Sequence, residues 1–229
     1  MQSRGRGRPR GSTQVRPGES IRNEILDAAG ELITTQGFGA ATTRQIADAV
    51  GVRQNAIYYH FPSKEAILGA LLEALVTPAL DAARALDEIE STDGIDFAAR
   101  LFALARFDAQ VLAGWRWNLG VLFSLPEARS PEFATVLGAR LSLRDHYVAF
   151  AVAVTDQTGA APTGDMTFRL AESVSSMRAD NALPADAPER IARSCLLLTG
   201  WTTQHDEVQA RAAALLTSSI ATQDVPGFQ

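Results

Sequence analysis

Two short amphipathic segments joined at a glycine are the feature that most constrains the fold. The first runs from Thr42 to Gly51, and Gln45 follows Thr42 by three residues, which is the pattern of a capping box. In the second, Ile57 and Phe61 stand four residues apart, so one helix would turn both toward a core. Two short helices separated by a glycine-containing turn are typical of a helix-turn-helix.

Apolar residues recur at helical spacing along most of the chain, and no segment shows the alternation of a strand. The composition leans on Ala and Leu, which favours helices. After a third helix over 54–60, Ser63 caps a long fourth helix that Pro78 is expected to kink. The first helix is expected from near residue 19 to Gly37, and the later helices near 94–113, 115–124, 131–157, 165–178, 188–201 and 205–221.

We therefore predict an all-α protein of about ten helices. A three-helix helix-turn-helix domain is expected over residues 19–65. Residues 66–224 would form a helical bundle for ligand binding and dimerisation. The arginine-rich tail, residues 1–18, has almost nothing apolar to bury and is predicted to be disordered.

The charge distribution suggests that one end of the chain faces a polyanion. The formal net charge is −5, but residues 1–65 carry a net +3 and the other 164 residues a net −8. Cys195 is the only cysteine, which rules out an intrachain disulfide and fits a reducing compartment. Without a secretory or membrane-spanning apolar run, we expect a cytoplasmic protein that has no membrane partner.

The outer face of the third helix carries side chains suited to DNA. Gln54 and Asn55 have amides that can pair with an adenine edge in the major groove. Tyrosine hydroxyls, threonine hydroxyls and Lys64 suit phosphate oxygens. The alternative is that Tyr58, Tyr59 and the following histidine form a packed aromatic edge.

Residues 21–68 resemble the DNA-binding domain of the TetR family of one-component repressors. The matching features are Gly37-Phe38, Thr42-Thr43, Ile46-Ala47, Gly51-Val52, Tyr58-Tyr59-His60-Phe61 and Ser63-Lys64-Glu65. The resemblance implies that residues 54–60 form the recognition helix.

By position, the resemblance also implies which side chains meet DNA. Those expected to approach bases are Arg44, Gln54, Asn55, Ala56 and Tyr59. Those expected to touch the backbone are Thr42, Thr43, Tyr58, His60 and Lys64. The sequence departs from the family at Arg53, where a capping residue such as serine is common. Arg53 could reach either a phosphate or a guanine.

The N-terminal tail contains the core pattern of an AT-hook, Arg6-Gly7-Arg8-Pro9. Arg6 and Arg8 would enter the narrow minor groove of A·T-rich DNA, because glycine lets the backbone lie close to the groove floor. The alternative is a solvated basic tail that adds only nonspecific attraction.

Aromatic side chains with interleaved polar ones mark the candidate ligand pocket in the C-terminal body. The candidates are Phe102, Arg106, Phe107, Gln110, Trp115, Trp117, Phe123, His146, Tyr147 and Phe150. Apolar walls with a few polar anchors suit a small hydrophobic or aromatic ligand. The alternative is that most of these aromatics are ordinary core.

Two apolar stripes are candidates for a homodimer interface, an assignment that rests chiefly on the resemblance. The first stripe is Met166, Leu170, Val174 and Met177, and the second is Ile191, Cys195, Leu198 and Trp201. One such pair per subunit could build a four-helix interface. The alternative is that one stripe packs only within its own subunit.

Taken together, these features predict a dimeric repressor that binds a palindromic operator in double-stranded DNA and is released by a small molecule. The alternative is an architectural or ligand-independent DNA-binding protein that relies on the AT-hook. An enzyme is disfavoured, because the three histidines are scattered and Cys195 lies on an apolar stripe. No cofactor or metal is expected.

Overall fold

The computed structural model describes residues 20–91 and 93–220, and within them the fold is all-α, as predicted. Nine α-helices and three short 3-10 helices are present there, with no strand. In chain order the α-helices are α1 (Ile21–Gln36), α2 (Thr43–Val50), α3 (Gln54–His60), α4 (Lys64–Asp87), α5 (Gly94–Gly114), α6 (Ala134–Thr158), α7 (Met166–Ala179), α8 (Ala187–Leu198) and α9 (His205–Ile220).

The helix boundaries of the N-terminal domain follow the local capping signals. The predicted capping box is present, because the Thr42 side chain accepts from the Gln45 backbone and the Gln45 side chain accepts from Thr42 N. Gly51 ends α2 in the left-handed region at φ 72°. Arg53 precedes α3 without a side-chain capping bond, as its chemistry requires. Ile57 and Phe61 are buried, and this fixes which face of α3 points outward.

Helix α5 lies at the centre of the C-terminal body. It packs against α4, α6, α7, α8 and α9. Its alanine-rich inner positions are fully buried, which lets the neighbouring helices approach closely. Helix α5 is therefore the apolar centre of the body. The outward faces of the helices around it are available for other contacts.

Helix α4 links the two parts of the chain without interruption. It contacts α1 on one side and α5, α6 and α9 on the other. It is long and apolar enough to cross a membrane by length and composition, but 67% of that apolar window is buried inside the protein, as in a core helix. Pro78 lies within α4, and the helix continues through it to Asp87.

The prediction of a helix over 115–124 is wrong in part. Helix α5 ends at Gly114, Trp115 is extended at ψ 140°, and only Leu119–Ser124 forms a 3-10 helix. Two more 3-10 helices, Glu127–Arg129 and Pro131–Phe133, follow before α6. We call residues 115–133 the connecting segment. Tertiary contacts oppose a helix at the start of this segment, where Trp117 is hydrogen-bonded to Asp27 of α1 and Asn118 to the Ser175 carbonyl of α7.

Candidate functional site

The outer face of α3 is an exposed polar and aromatic surface. Gln54 and Asn55 are exposed, and the Tyr58 and Tyr59 side chains are 48% and 86% exposed. Large aromatic side chains are seldom left this exposed on a surface that contacts only water. The structure thus brings these predicted DNA-binding residues together on one side of the domain.

Hydrogen bonds join this face to the start of α2. The Gln54 amide nitrogen donates to Thr43 Oγ1 over 2.9 Å, and the hydroxyls of Thr43 and Tyr58 lie 3.2 Å apart. Three side chains from two helices therefore meet beside the N-terminus of α2. Hydroxyls and helix N-termini are both suited to phosphate oxygens.

The other predicted DNA-binding residues surround this face. Thr42, Arg44 and Arg53 are exposed, whereas Ala56 and His60 are half-buried. The His60 ring packs edge-on against Tyr59 with 5.2 Å between ring centroids. Arg6, Arg8 and the predicted tail over 1–18 lie outside the described residues.

Lys64 has a structural role that sequence reasoning missed. Its ammonium donates to the carbonyls of Phe38 and Ala41 over 2.6 and 2.8 Å, and it lies 4.2 Å from the centroid of the Phe38 ring. The first residue of α4 thereby holds the turn that leads into α2. Two of its three ammonium protons are used inside the protein, which leaves one for the predicted phosphate contact. That contact stays a prediction.

A buried acid in α1 joins the N-terminal helices to the body. Asp27 is 2% exposed and accepts a 2.9 Å hydrogen bond from the Trp117 indole. Arg116 approaches the second Asp27 oxygen to 3.5 Å and lies 4.7 Å from the centroid of the Trp117 ring. Trp117, predicted as a ligand residue, instead belongs to this joint. We call Asp27, Arg116 and Trp117 the α1 joint.

Glycines let the chain pack closely on both sides of the connecting segment. A Cβ at Gly30 would lie 3.0 Å from Leu119 and 3.3 Å from Trp117. A Cβ at Gly120 would lie 1.8 Å from the Ser175 hydroxyl. Side chains at these positions would push α1 or α7 away from the segment.

Helix α7 holds the connecting segment from the side opposite α1. The Arg178 guanidinium donates to the carbonyls of Leu112 and Trp115 over 2.8 and 2.6 Å, which satisfies the open end of α5. Asn118 donates to the Ser175 carbonyl over 2.8 Å. The segment is thus bound to α7 and to α1 by directed polar contacts.

A cavity of about 360 Å³ lies next to the connecting segment in the body. Its apolar wall includes Leu75, Val76, Leu112, Val121, Phe123, Leu143 and Phe168. Its polar lining includes Asp108, Ser124, Arg140, Arg169, Glu172, Ser175 and Ser176. This mixture is more polar than the pocket that the sequence predicted.

Ion pairs occupy most of the charged groups in the lining. Glu172 accepts from Arg140, whose Nε lies 2.8 Å away, and from Arg169 over 3.0 Å. Arg169 also pairs with Asp165 over 3.0 Å. The Arg140 guanidinium lies near the ring centroids of Phe123 and Phe168, at 5.0 and 5.3 Å.

Of the charged groups that line the cavity, Asp108 has the fewest hydrogen-bond donors and cations next to it. It is 3% exposed, and among the described residues only the Tyr147 hydroxyl donates to it, over 3.0 Å. Burial raises the pKa of Asp108 to about 7, although the Tyr147 hydrogen bond opposes this shift. The pKa of Tyr147 is also raised well above its ordinary value, first by burial and second by the negative charge of Asp108.

Of the predicted ligand residues, only Phe123 lines the cavity. Tyr147 acts behind the cavity wall by bonding Asp108. The buried core contains Phe102, Phe107, Trp115 and Phe150. Arg106 forms an ion pair with Glu189 at 3.6 Å, and His146 lies 4.0 Å from Asp87. Gln110 is exposed. The alternative of ordinary core therefore describes most of the aromatics. Sequence spacing could not show that α7 supplies much of the polar lining.

The predicted dimer stripes divide between the surface and the core. Of the predicted residues, Met166 and Leu198 are exposed, at 54% and 36%, around a shallow groove that Leu170 also lines. Leu197, which the prediction did not include, is 55% exposed in the same groove. Val174, Ile191 and Cys195 are instead buried within the subunit against its own helices, which leaves them little surface to offer to a partner. Met177 and Trp201 are half-buried, and Trp201 packs within 3.3 Å of the Cβ position of Gly94.

The Cys195 thiol is structural. It donates to the Thr167 carbonyl over 3.5 Å, and burial raises its pKa to about 12, so it remains a neutral thiol. Within residues 20–91 and 93–220, no group of three His, Cys, Asp or Glu side chains is placed to hold a metal ion.

Comparison with known proteins identifies the family. The profile described as bacterial regulatory proteins, tetR family, matches residues 25–71. The crystal structure of AmtR from Mycobacterium smegmatis is 44% identical, with a TM-score of 0.82 over 88% of this chain and 96% of that one.

Curated relatives match over shorter stretches of the chain. Tetracycline repressor protein class C of Escherichia coli is 43% identical over 56 residues, 24% of this chain and 26% of the relative. The HTH-type transcriptional repressor KstR2 of Rhodococcus jostii is 37% identical over 83 residues, 36% of this chain and 39% of the relative. The matches thus span about a quarter to two fifths of these relatives. From the helix-turn-helix, the all-α fold and the match along nearly the whole of AmtR, the chain belongs to the TetR family of bacterial transcriptional regulators.

Proposed function

We propose that the protein is a homodimeric repressor that binds a near-palindromic DNA operator through α3 and is released by a small molecule in the body. The observation that carries the proposal is the exposed face of α3, where Gln54, Asn55 and Tyr59 project from a helix fixed by buried Ile57. The repressor direction is supported by relatives named as repressors. Residues 19–65 would bind DNA, and residues 66–224 would bind the ligand and the partner subunit.

The groove between α7 and α8 supports a second copy of this chain as the partner. Met166, Leu170, Leu197 and Leu198 contribute apolar surface there, and such a patch is costly to leave in water. A two-fold axis would apply the same surface from both subunits. It would also present two α3 helices to half-sites about 34–36 Å apart or more.

The connecting segment supports a route from the cavity to the DNA-binding domain. Residues 120–124 contribute to the cavity wall, and Trp117 and Leu119 of the same segment pack on α1. A ligand that displaces the segment would therefore move α1 and, with it, α3. A ligand acts this way only through a difference in affinity between the two arrangements.

Binding of DNA from the region flanking the protein's own gene tests this function. We expect the wild type to shift this DNA in a mobility assay and to prefer it over unrelated DNA. The triple variant Gln54→Ala, Asn55→Ala and Tyr59→Ala should lose this preference, because it removes the base-reading groups. The matched control is Gln157→Ala, which alters an exposed residue at the far end of α6. Unchanged selectivity of the triple variant would overturn the proposal.

The arginine tail is proposed to add contacts in the minor groove next to each half-site. Deletion of residues 2–16 should weaken operator binding and flatten its salt dependence by about 0.9 in the log–log slope for each phosphate that the tail neutralises. An unchanged slope would exclude this role for Arg6 and Arg8.

A further inference from the structure

We propose that the cavity binds a small organic cation, an amine or amidine, with the Asp108 carboxylate as its anchor. This inference rests on the ligand cavity of the proposed function and adds the chemical class of the ligand. It starts from an acid that is nearly inaccessible to bulk solvent and yet lines the cavity. A carboxylate in this setting is costly unless a cation or several hydrogen bonds compensate it.

The charges around the cavity leave Asp108 as the group without a cationic partner. Arg140 pairs with Glu172, and Arg169 is shared between Glu172 and Asp165. No Lys, Arg or His of the described residues lies within 4 Å of the Asp108 oxygens. Arg169 is thus partly engaged by Asp165, an acid outside the cavity lining. When all three acids are ionised they outnumber the two arginines by one, and Asp108 is the acid that has no ion pair.

The hydrogen bonds of Asp108 point to the same conclusion. Tyr147 donates to Oδ2 and fixes the carboxyl plane from the side of the core. A ligand N–H group on the cavity side would supply the donors that the carboxylate still lacks. A charge-assisted hydrogen bond of this kind is stronger than a neutral one. An anionic ligand would instead meet Asp108 with like charge, and the two arginines of the lining are already paired with Glu172 and Asp165.

The remainder of the wall accommodates a compact apolar group. Phe123, Phe168, Val121 and Leu143 line the space next to the charged residues. A cavity of about 360 Å³ is large enough for a substituted benzene ring but lies at the lower end of the range for drug-sized ligands. The geometry therefore favours a molecule with one cationic end and a short hydrocarbon or aromatic end.

Protonation of Asp108 makes cation binding depend on pH. The charged or titratable groups that influence it are Tyr147 and Arg140 of α6, Glu172 of α7 and Cys195 of α8. Since the pKa of Asp108 is about 7, a cation must displace a proton from a substantial fraction of the molecules at neutral pH. Affinity should then increase about tenfold between pH 6 and pH 8, with proton release on binding.

Calorimetric titration of the DNA-free protein tests the inference. The probes are n-butylamine, benzylamine and benzamidine, with benzyl alcohol and benzoate as neutral and anionic counterparts of similar size. We expect at least one cationic probe to bind at least tenfold more tightly than benzyl alcohol and benzoate, and more tightly at pH 8 than at pH 6. Failure of all three cations to bind at millimolar concentration, or equal binding of the uncharged probe, would overturn it.

The variant Asp108→Asn separates anchoring from general attraction. Asn can still accept from Tyr147, so the fold should persist, which a thermal melt checks. We expect it to lose at least tenfold in affinity for the cationic probe and to lose the pH dependence. Asp156→Asn, which alters an exposed acid near the end of α6, is the control and should bind like the wild type. Equal affinity of Asp108→Asn and wild type would overturn the inference. A protein that binds the probe but no operator DNA would contradict only the proposed function.

Discussion

Asp27 and Asp108 are both buried acids, and their surroundings give them opposite roles. Asp27 receives an indole N–H and a guanidinium, so its burial is compensated within the protein. Asp108 receives one tyrosine hydroxyl and no cation within the described residues. The first therefore stabilises the contact between α1 and the connecting segment, whereas the second is destabilised in its charged form.

Removal of the Asp27 carboxylate should loosen the α1 joint. We expect Asp27→Ala to lower the free energy of unfolding by about 1–3 kcal/mol, because the half-buried Trp117 indole loses its acceptor. Asp27→Asn should cost less, since an amide oxygen can still accept. Urea denaturation measures both changes. The control, Asp81→Ala, removes only an exposed ion pair with Arg84 and should change stability by about 0.5 kcal/mol or less. A stability of Asp27→Ala equal to that of the control would contradict this role.

Asp108 should make the stability of the free protein depend on pH. Its pKa in the folded state, about 7, lies above the ordinary value of 3.8, so the folded state holds the proton more tightly. The contribution of this proton to the free energy of unfolding is complete below about pH 4 and is lost as the pH rises through about 7. Asn does not titrate, so the free energy of unfolding of Asp108→Asn lacks this loss. Between pH 4 and pH 8, the difference in unfolding free energy between the two proteins should therefore shift in favour of the variant by up to about 4 kcal/mol. Urea titrations at the two pH values test this, and parallel curves for both proteins would refute it.

At the scale of elements, the short segments between helices carry the functional geometry. Lys64 ties the turn before α2 to the start of α4, so the orientation of α2 depends on a residue 23 and 26 positions beyond the two carbonyls that it binds. The connecting segment between α5 and α6 contacts α1, α7 and the cavity. Both are irregular stretches fixed by side chains from distant helices.

Salt dependence distinguishes the structural role of Lys64 from a phosphate contact. Lys64→Met should lower stability by about 1–3 kcal/mol, because two carbonyls lose a charged donor. If Lys64 acts only within the protein, the log–log salt slope of DNA binding should not change. A phosphate contact would instead reduce the slope by about 0.9. Arg53→Met, on an exposed side chain, is the control and is expected to leave stability unchanged. Wild-type stability of Lys64→Met would exclude the structural role.

At the scale of the whole molecule, two kinds of surface lie apart from each other. The polar face of α3 belongs to the N-terminal domain, and the apolar groove belongs to α7 and α8. The cavity shares α7 with that groove, since Glu172 and Ser175 line it while Met166 and Leu170 line the groove. Occupancy of the cavity and the placement of the partner subunit are therefore expected to influence each other.

A charge in the groove should separate the subunits. We expect Leu197→Asp to convert a dimer into a monomer and to weaken operator binding at least tenfold, because a buried, unpaired carboxylate opposes association. Light scattering after size exclusion measures the mass. Leu141→Asp, on a side chain 47% exposed outside this groove, is the control and should remain dimeric. A monomeric wild type, or a dimeric Leu197→Asp variant, would contradict the proposed interface.

Local signals were sufficient for the α-helices outside the connecting segment, the capping box of α2 and the outward face of α3. Each depends on residues a few positions apart, whose spacing the chain itself sets. They were not sufficient for the cavity, whose polar lining combines Asp108 of α5 with Arg140 and Glu172 from two later helices.

Apolar periodicity also could not separate the two sides of α7, where Val174 faces the core and Met166 faces solvent. An apolar side chain looks the same in sequence whether its own subunit or a partner covers it. The sequence by itself therefore determined the α-helices outside the connecting segment and the polar and aromatic side chains on the outer face of α3. Only the tertiary structure decided which acids are compensated, which aromatics are core and which apolar face is left uncovered, because each of these depends on neighbours supplied by distant helices.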